Sequence, residues 1–265
     1  MALTISEQFF SLQCEGVTNG VPAYFIRLQG CNLRCGNPDM TKMPECKSVQ
    51  EFQEKLYAAK DPDATWLCDS MAVYMQGKEV SNEALEAILK KEKQLENILN
   101  GRTHIIWTGG EPTLQQLWIM DFLNYLFKKY PKATIYSEIE TNGTTRTATD
   151  FFGKYIQQVN CSPKLANSGN RRGMRINPGV LAQINAFENS WFKFVVSTEV
   201  DIQSARREFI EPNHLDEKKI ILMPGLSERK HYFERTKWIY EMGKKYGYRA
   251  VSRGHIAAWD KTTGV

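Results

Sequence analysis

The sequence predicts an α/β protein with a mainly parallel sheet. Short segments rich in β-branched and aromatic residues alternate along the chain with longer segments of helical periodicity. Strands that alternate with helices are joined by right-handed crossovers, so neighbouring strands run parallel. The 265 residues are 42% hydrophobic and 24% charged, which is ordinary for a globular protein. We interpret the chain (1–265) as one domain whose sheet is either open or forms an open barrel.

Six strands and five helices are expected in alternation. The strands are 24–28, 104–108, 134–140, 157–161, 191–196 and 219–223. The helices are 81–100, 113–129, 178–186, 202–209 and 227–245. Ser81 is suited to cap the first helix, which should end before Gly101, and the second should stop before Pro131.

Residues 36–67 interrupt this alternation. The segment contains prolines, one amphipathic run at 48–60 and the turn-forming Asp-Pro-Asp at 61–63. We therefore expect a surface insertion with a short helix of its own.

The charge distribution excludes some classes of function. Lys and Arg exceed Asp and Glu by four, and the basic residues are scattered, so a nucleic-acid groove is not expected. No run of 18 apolar residues is present, so we expect no membrane span. The N-terminal sequence lacks a charged region followed by an apolar stretch, which predicts a cytoplasmic location.

The cysteines indicate a metal or cluster site. The chain contains Cys14, Cys31, Cys35, Cys46, Cys68 and Cys161. In a cytoplasmic protein, ligation is a better explanation than disulfides for those between 31 and 68. Cys31 and Cys35 follow the strand 24–28 directly, where α/β folds place active sites. A third thiolate, from Cys46 or Cys68, would leave one iron of a [4Fe–4S] cluster open for chemistry, whereas a fourth would close the site.

A second motif follows the next strong strand. Residues 107–112 read Trp-Thr-Gly-Gly-Glu-Pro. The two glycines would allow the backbone to approach a ligand closely, and Glu111 would begin a helix with Pro112 in its first turn. Together with the cysteine loop, this motif predicts an active site at the carboxyl ends of the strands.

These motifs resemble the radical S-adenosylmethionine (SAM) superfamily, in which three cysteines hold a [4Fe–4S] cluster and the Gly-Gly-Glu-Pro segment meets SAM. More closely, the chain resembles the 7-carboxy-7-deazaguanine synthase family. The resemblance covers nearly the whole chain and includes Ser-Leu-Gln-Cys-Glu-Gly at 11–16, Phe-Ile-Arg-Leu at 25–28, Glu-Thr-Asn-Gly at 140–143, Ser-Pro-Lys at 162–164, Met-Pro-Gly at 223–225 and His255. It implies a partial, open parallel β/α barrel that converts 6-carboxy-5,6,7,8-tetrahydropterin to 7-carboxy-7-deazaguanine with loss of ammonia.

The resemblance also assigns roles by position. Substrate contacts are expected from Leu12, Gln13, Cys14, Glu15, Arg27, Thr108 and His255. SAM contacts are expected from Leu67, Gly109, Gly110, Glu111, Glu140, Ser162, Lys164, Met223 and Pro224. The cluster ligands would be Cys31, Cys35 and Cys68, and Ser70 would bind Mg²⁺. The radical forms on SAM, so the family implies no catalytic protein side chain. A flavodoxin-like electron donor and a homodimer are also implied.

Three positions depart from the family pattern. Cys14 replaces a glycine, which matters if the backbone there needs a positive φ. Cys161 precedes Ser162 on a buried strand and is expected to be a core thiol. The compact family pattern would place the third cysteine at Pro38, whereas here the matching residues surround Cys68.

Alternatives remain open at this point. Cys46 could replace Cys35 as a ligand, since some members of the family carry a long insertion after the first cysteine. A radical SAM activase of a glycyl-radical enzyme would share the cysteine and Gly-Gly-Glu-Pro motifs. A non-catalytic zinc module would use four cysteines in a closed site, at positions 31, 35, 46 and 68.

Overall fold

The computed structural model describes residues 2–37, 46, 49–62, 64–68, 77–260, 262 and 264. Within these ranges the strands form one nine-stranded sheet, in the order β3-β1-β2-β4-β5-β6-β7-β8-β9. The strands are β1 (Ala2–Leu12), β2 (Pro22–Leu28), β3 (Lys78–Ser81), β4 (His104–Gly109), β5 (Ser137–Thr141), β6 (Gln158–Cys161), β7 (Ser190–Val196), β8 (Ile220–Pro224) and β9 (Arg249–Ala250).

From β2 onwards, α-helices lie between most pairs of consecutive strands. They are α1 (Val49–Ala58), α2 (Asn82–Lys91), α3 (Leu95–Leu99), α4 (Gln116–Lys129), α5 (Arg172–Arg175), α6 (Pro178–Ala186), α7 (Glu199–Ala205), α8 (Tyr232–Tyr246) and α9 (Gly254–Trp259). No helix in the described part of the chain is long and apolar enough to cross a lipid bilayer.

The sheet is a partial, unclosed parallel barrel, as predicted. Strands β2, β4, β5, β6, β7, β8 and β9 pair in parallel, and β1 pairs antiparallel with both β2 and β3. Strands β3 and β9 lie at the two edges, so the sheet does not close. Because the carboxyl ends of parallel strands lie at one edge, the loops after them surround a single region.

Alternation along the strands separates the core from the lumen of the barrel. On β2, Tyr24, Ile26 and Leu28 are fully buried in the hydrophobic core. Arg27 lies between two of these residues and therefore points to the opposite face, which is the lumen. The same two-residue alternation places Thr108 of β4, Glu140 of β5 and Lys193 of β7 on the lumen face.

Several element boundaries differ from the sequence prediction. The first expected helix divides into α2 and α3, because the backbone at Lys93 has a φ of 59° that a helix cannot continue through. Ser81 caps α2 as predicted, accepting a hydrogen bond from the Ala84 N–H at 3.2 Å. Strand β1 was not predicted, although it is the longest in the sheet and ends at Leu12.

The insertion contains the predicted helix, α1, and is anchored to the barrel at both ends. Phe52 and Leu56 on α1 are buried. At its start the Gly36 N–H donates to the Ser168 carbonyl oxygen at 2.8 Å, and near its end the Thr65 N–H donates to the Asn167 carbonyl oxygen at 2.9 Å. The insertion therefore leaves and returns to the barrel at the same place.

Candidate active site at the carboxyl ends of the strands

The cysteine loop follows β2. Cys35 is buried and Cys31 is half-buried. The backbone N–H of Cys68 donates a hydrogen bond to the carbonyl oxygen of Cys35 at 3.2 Å, so the end of the insertion lies beside the loop. Cys46 lies instead against Lys55 of α1, whose pKa is raised first by Glu51 and also by this thiol.

Two asparagine amides surround the thiols. Nδ2 of Asn170 lies 3.3 Å from Sγ of Cys35, and Nδ2 of Asn142 lies 3.9 Å from Sγ of Cys31. Donors aimed at sulfur stabilise the thiolate and tune the reduction potential of a bound cluster. Both amides are placed to donate to the sulfur atoms of this loop.

Thiols are the donors that an iron–sulfur cluster takes. No three His, Cys, Asp or Glu side chains among the described residues lie close enough together to hold one metal ion. A closed zinc site needs its donors to converge on one ion. In a [4Fe–4S] cluster each thiolate binds a different iron, so Cys31, Cys35 and Cys68 can share it while spaced more widely.

The two glycines after β4 are explained by backbone packing. The N–H of Gly110 donates to the Leu28 carbonyl oxygen at 3.0 Å. A Cβ added to Gly110 would lie 1.8 Å from the carbonyl oxygen of Gly30, and Gly109 has a φ of 107°. The close approach that the sequence predicts is therefore made to the cysteine loop itself, and these glycines fix the loop against β4.

The Glu111 side chain is turned into the protein. It is fully buried and accepts hydrogen bonds from Thr113, from the Thr141 hydroxyl at 2.7 Å and from the Asn142 N–H at 2.7 Å. Burial raises its pKa, although these donors partly offset the effect. As predicted, Glu111 precedes the first helical turn with Pro112 at its start. Its carboxylate positions the loops, so a contact with SAM could come only from its main chain.

Several predicted substrate residues meet around Glu140. The Thr108 hydroxyl donates to Oε2 of Glu140 at 2.6 Å, and Nε2 of Gln13 lies 3.5 Å from Oε1. Arg27 is the strand neighbour of Thr108 across β2 and β4. Glu140 was predicted to contact SAM, yet its hydrogen bonds are made with residues predicted to bind the substrate.

Arg27 is held by β1. Its Nε lies 3.2 Å from Oε2 of Glu7, and its guanidinium lies 5.5 Å from the centre of the Phe9 ring. Its side chain is 22% exposed. A planar guanidinium carries five N–H donors in a fork, a geometry that matches a carboxylate.

Glu15 is the centre of a buried ionic cluster. Lys193 contacts its Oε2 at 2.5 Å and Arg253 its Oε1 at 2.9 Å, and Nδ1 of His255 lies 3.8 Å away. Burial alone would raise the pKa of Glu15, but the charges of Lys193, Arg253 and His255 outweigh it and hold the pKa well below its usual range. Sequence reasoning identified Glu15 and His255 but missed Lys193 and Arg253. The signal for Lys193 was a charged residue within the apolar strand Trp-Phe-Lys-Phe-Val-Val.

The predicted SAM residues lie further round the same edge. Nζ of Lys164 lies 3.0 Å from Oγ of Ser162 and 5.9 Å from the centre of the Trp66 ring. Leu67 packs against the backbone of Gly36, and Met223 and Pro224 end β8 with buried side chains. A hydroxyl beside an ammonium suits a carboxylate such as that of SAM.

A polar cluster surrounds Glu138, which lies two residues before Glu140 on β5. This buried carboxylate receives hydrogen bonds from Thr18, Gln158 and Asn160 at 2.9 to 3.0 Å. His104 lies 2.6 Å from its other oxygen.

Known proteins of similar length resemble this chain over nearly its whole sequence. A 7-carboxy-7-deazaguanine synthase of Pyrobaculum aerophilum is 27% identical over 264 residues, which are 98% of this chain and 96% of the relative. The enzyme of the same name from Aquifex aeolicus is 28% identical over 258 residues, 96% of this chain and 92% of the relative. The crystal structure of QueE from Escherichia coli superposes with a TM-score of 0.58 and 25% identity, covering 95% of this chain and 94% of that one. The chain is similar over nearly its whole length to proteins named 7-carboxy-7-deazaguanine synthase.

Two further comparisons complete this result. The structure titled native anSMEcpe with bound AdoMet has a TM-score of 0.52 at 18% identity, and it covers 85% of this chain and 62% of that one. This likeness concerns the fold alone. No family model matches the chain.

The departures from the synthase family pattern can now be placed. Cys14 is not among the described residues with positive φ, whereas Gly16 has a φ of 74°, so the backbone does not require glycine at 14. The Cys14 carbonyl accepts a hydrogen bond from the Gly254 N–H at 3.2 Å, and burial raises the pKa of its thiol. Cys161 is fully buried, which confirms a core thiol.

Two expected residues contribute less to this picture. Leu12 ends β1 with a side chain that is 43% exposed. Ser70, the expected Mg²⁺ ligand, lies outside the described residues.

Proposed function

We propose that this chain converts 6-carboxy-5,6,7,8-tetrahydropterin to 7-carboxy-7-deazaguanine and ammonia. The observation that carries the proposal is the meeting of Gln13, Thr108 and Glu140 on the lumen wall beside Arg27. These side chains offer amide, hydroxyl and carboxylate groups to the polar edges of a pterin and a guanidinium to its carboxylate. Similarity over nearly the whole chain to proteins named 7-carboxy-7-deazaguanine synthase supports the same reaction.

The cluster would be held by Cys31, Cys35 and Cys68. The hydrogen bond between the backbones of Cys68 and Cys35 supports this set, and the contact of Cys46 with Lys55 gives that thiol another environment. Three ligands leave one iron for SAM. When bound, the cluster and SAM supply the radical chemistry that begins ring contraction.

SAM would lie along the carboxyl ends of β4, β6 and β8. We assign its carboxylate to Ser162 and Lys164, whose polar atoms are adjacent. Leu67 would pack along its adenine. The main chain of the Gly109–Glu111 segment and the loop that begins at Met223 and Pro224 would complete the site.

The pterin would lie deeper in the lumen. Arg27 would bind its carboxylate with two parallel hydrogen bonds, because a guanidinium fork matches carboxylate geometry. Gln13, Thr108 and Glu140 would bind the polar edge of the ring system. The main chain at Leu12 and Cys14, together with Glu15 and His255, would close the site from above.

Mg²⁺ is proposed on the resemblance to the family. Ser70 supplies a hard oxygen of the type that Mg²⁺ prefers. The ion would clamp the substrate carboxylate and polarise the rearranging ring.

The partners follow from the same proposal. A flavodoxin-like protein would supply the electron, and the enzyme would act as a homodimer in the cytoplasm, where thiolate ligands stay reduced. It would need no direct contact with nucleic acid or a membrane.

Anaerobic turnover tests the proposal. Reconstituted protein with SAM, a reductant and 6-carboxytetrahydropterin should release 7-carboxy-7-deazaguanine and equimolar ammonia. Consumption of the pterin without any protein partner would exclude a glycyl-radical activase. A colourless, zinc-bearing protein after anaerobic purification would exclude the proposal in favour of a zinc module.

A further inference from the structure

Lys193 is a buried charge that the reaction as described does not use. Its neighbours on β7, Phe192 and Phe194, are fully buried in the core, so the lysine faces the lumen. It is 6% exposed. Burying an ammonium is costly unless the protein or a ligand compensates for its lost hydration.

The contacts of Lys193 within the described protein are incomplete. An ammonium has three N–H donors, and Glu15 accepts one of them at 2.5 Å. No second acceptor among the described residues lies within hydrogen-bond distance of Nζ. Glu140, the carboxylate at the centre of the proposed pterin site, interacts with Lys193 electrostatically. Nζ therefore has donors directed to the region where the pterin would lie.

The proposed reaction has a step that needs such a group. An amine nitrogen bound to carbon is a poor leaving group unless it is protonated as the C–N bond breaks, and it then departs as ammonia. We propose that Lys193 is a catalytic residue, which binds the substrate in the lumen and gives a proton to the nitrogen that departs as ammonia. This inference rests on the proposed function.

The step balances without an added oxidant or reductant. After ring contraction, the C–N bond breaks and its electron pair leaves with the nitrogen, which takes a proton from Nζ of Lys193. A neighbouring carbon gives its proton to Glu140, and that C–H electron pair becomes a double bond of the five-membered ring. Transfer of the proton from Glu140 to the neutral lysine restores both groups.

The surroundings of Lys193 keep its amine protonated. Burial alone would lower its pKa, but the carboxylates of Glu15 and Glu140 outweigh burial and raise it. The lysine therefore meets the substrate with its proton in place. The ion pair of Glu15 with Arg253 keeps this carboxylate charged beside it.

Two substitutions at position 193 distinguish the effect of the positive charge from the effect of proton donation. Lys193→Arg keeps a cation whose proton is not given up, so substrate affinity should fall less than tenfold while kcat falls by 10²- to 10⁴-fold. Lys193→Met should lose both affinity and turnover. Affinity would be measured by calorimetry on cluster-loaded protein without SAM, and Lys218→Met, at an exposed position, is the matched control.

Chemical rescue supplies a readout that a merely structural role would not change. Lys193→Ala should regain turnover with added methylamine or ethylamine, and the rescued rate should depend on the pKa of the amine. SAM cleavage in the presence of the pterin should persist in all these variants, because it precedes ammonia loss.

The outcomes are distinguishable. If wild-type protein does not convert the pterin, the proposed function fails. If wild type turns over and Lys193→Arg keeps a kcat within threefold of it, Lys193 is not the proton donor. A folded Lys193→Ala variant, judged by circular dichroism, that binds substrate normally and gains nothing from amines would overturn the inference as well.

Discussion

The backbone N–H of Cys68 lies 3.2 Å from the carbonyl oxygen of Cys35, across an insertion that spans residues 36–67. A loop of this length costs little more to close than a short one, because closure entropy grows by only about 0.6 kcal/mol for each doubling of length. The hydrogen bond brings the end of the insertion back beside Cys35.

Alanine substitutions at the cysteines test the ligand set. Variants at Cys31, Cys35 and Cys68 should each lose most of their iron after anaerobic reconstitution, because each removes one thiolate ligand. Cys46→Ala should keep most of its iron and is the control. Loss of iron from Cys46→Ala, with retention in Cys35→Ala, would make Cys46 the second ligand.

Replacement of Asn170 tests whether its amide tunes the reduction potential of a bound cluster. Asn170→Asp keeps the oxygen that accepts from the Arg34 N–H at 3.0 Å but removes the donor to Cys35. We expect a lower reduction potential in an electrochemical titration and about a 10–100-fold loss of metal affinity or activity. Asn213→Asp, remote from the cysteine loop, should change neither quantity. An unchanged potential in Asn170→Asp would show that this contact does not reach the bound cluster.

Arg27 tests the carboxylate clamp. Arg27→Ala should weaken substrate binding by about 2–5 kcal/mol, because it removes one partner of a charged pair with the substrate. SAM cleavage without substrate should survive. Arg249→Ala removes another guanidinium, 4.6 Å from the centre of the Trp191 ring, and serves as the control. Normal substrate affinity in Arg27→Ala would refute the clamp.

Ser70 tests the Mg²⁺ proposal. Ser70→Ala should reduce turnover and flatten its response to added Mg²⁺, since the hydroxyl ligand is removed. A titration of initial rate against Mg²⁺ concentration measures this, with Ser204→Ala on α7 as the control. A full Mg²⁺ response in the Ser70 variant would place the ion elsewhere.

The buried carboxylate of Glu86 should make the stability of the folded protein depend on pH. Burial would raise its pKa, but hydrogen bonds from Lys129, Lys90, Tyr125 and Tyr130 outweigh burial and lower it. Because the pKa of Glu86 is lower in the folded state than in the unfolded state, its charge stabilises the fold at pH values above the unfolded pKa, about 4.5. This stabilisation is lost as the pH falls below that value. Glu86→Gln should cost about 1.5–3 kcal/mol at pH 7 in urea unfolding.

That difference from wild type should shrink as the pH is lowered from 5 towards 3. The control is Glu83→Gln, at an exposed position on the same helix, α2. A cost that stays constant across this range would show that the charge of Glu86 does not contribute.

The order of strands and helices could be predicted from the sequence because their patterns are local. Residues 178–186 form α6 as predicted, since Pro178 begins the helix and Asn177 caps it. Strand β1 was missed, because its partners across the sheet, and not its own periodicity, determine it as a strand.

The sequence by itself determined the parallel α/β fold, the cysteine spacing and the candidate residues at the strand ends, because each depends on neighbouring positions in the chain. Only the tertiary structure decided that Gly110 packs on Gly30, that Glu111 turns inward and that Lys193 meets Glu15. Lys193 and Glu15 are separated by 178 positions. Such contacts depend on the register of several strands at once, so no local pattern specifies them.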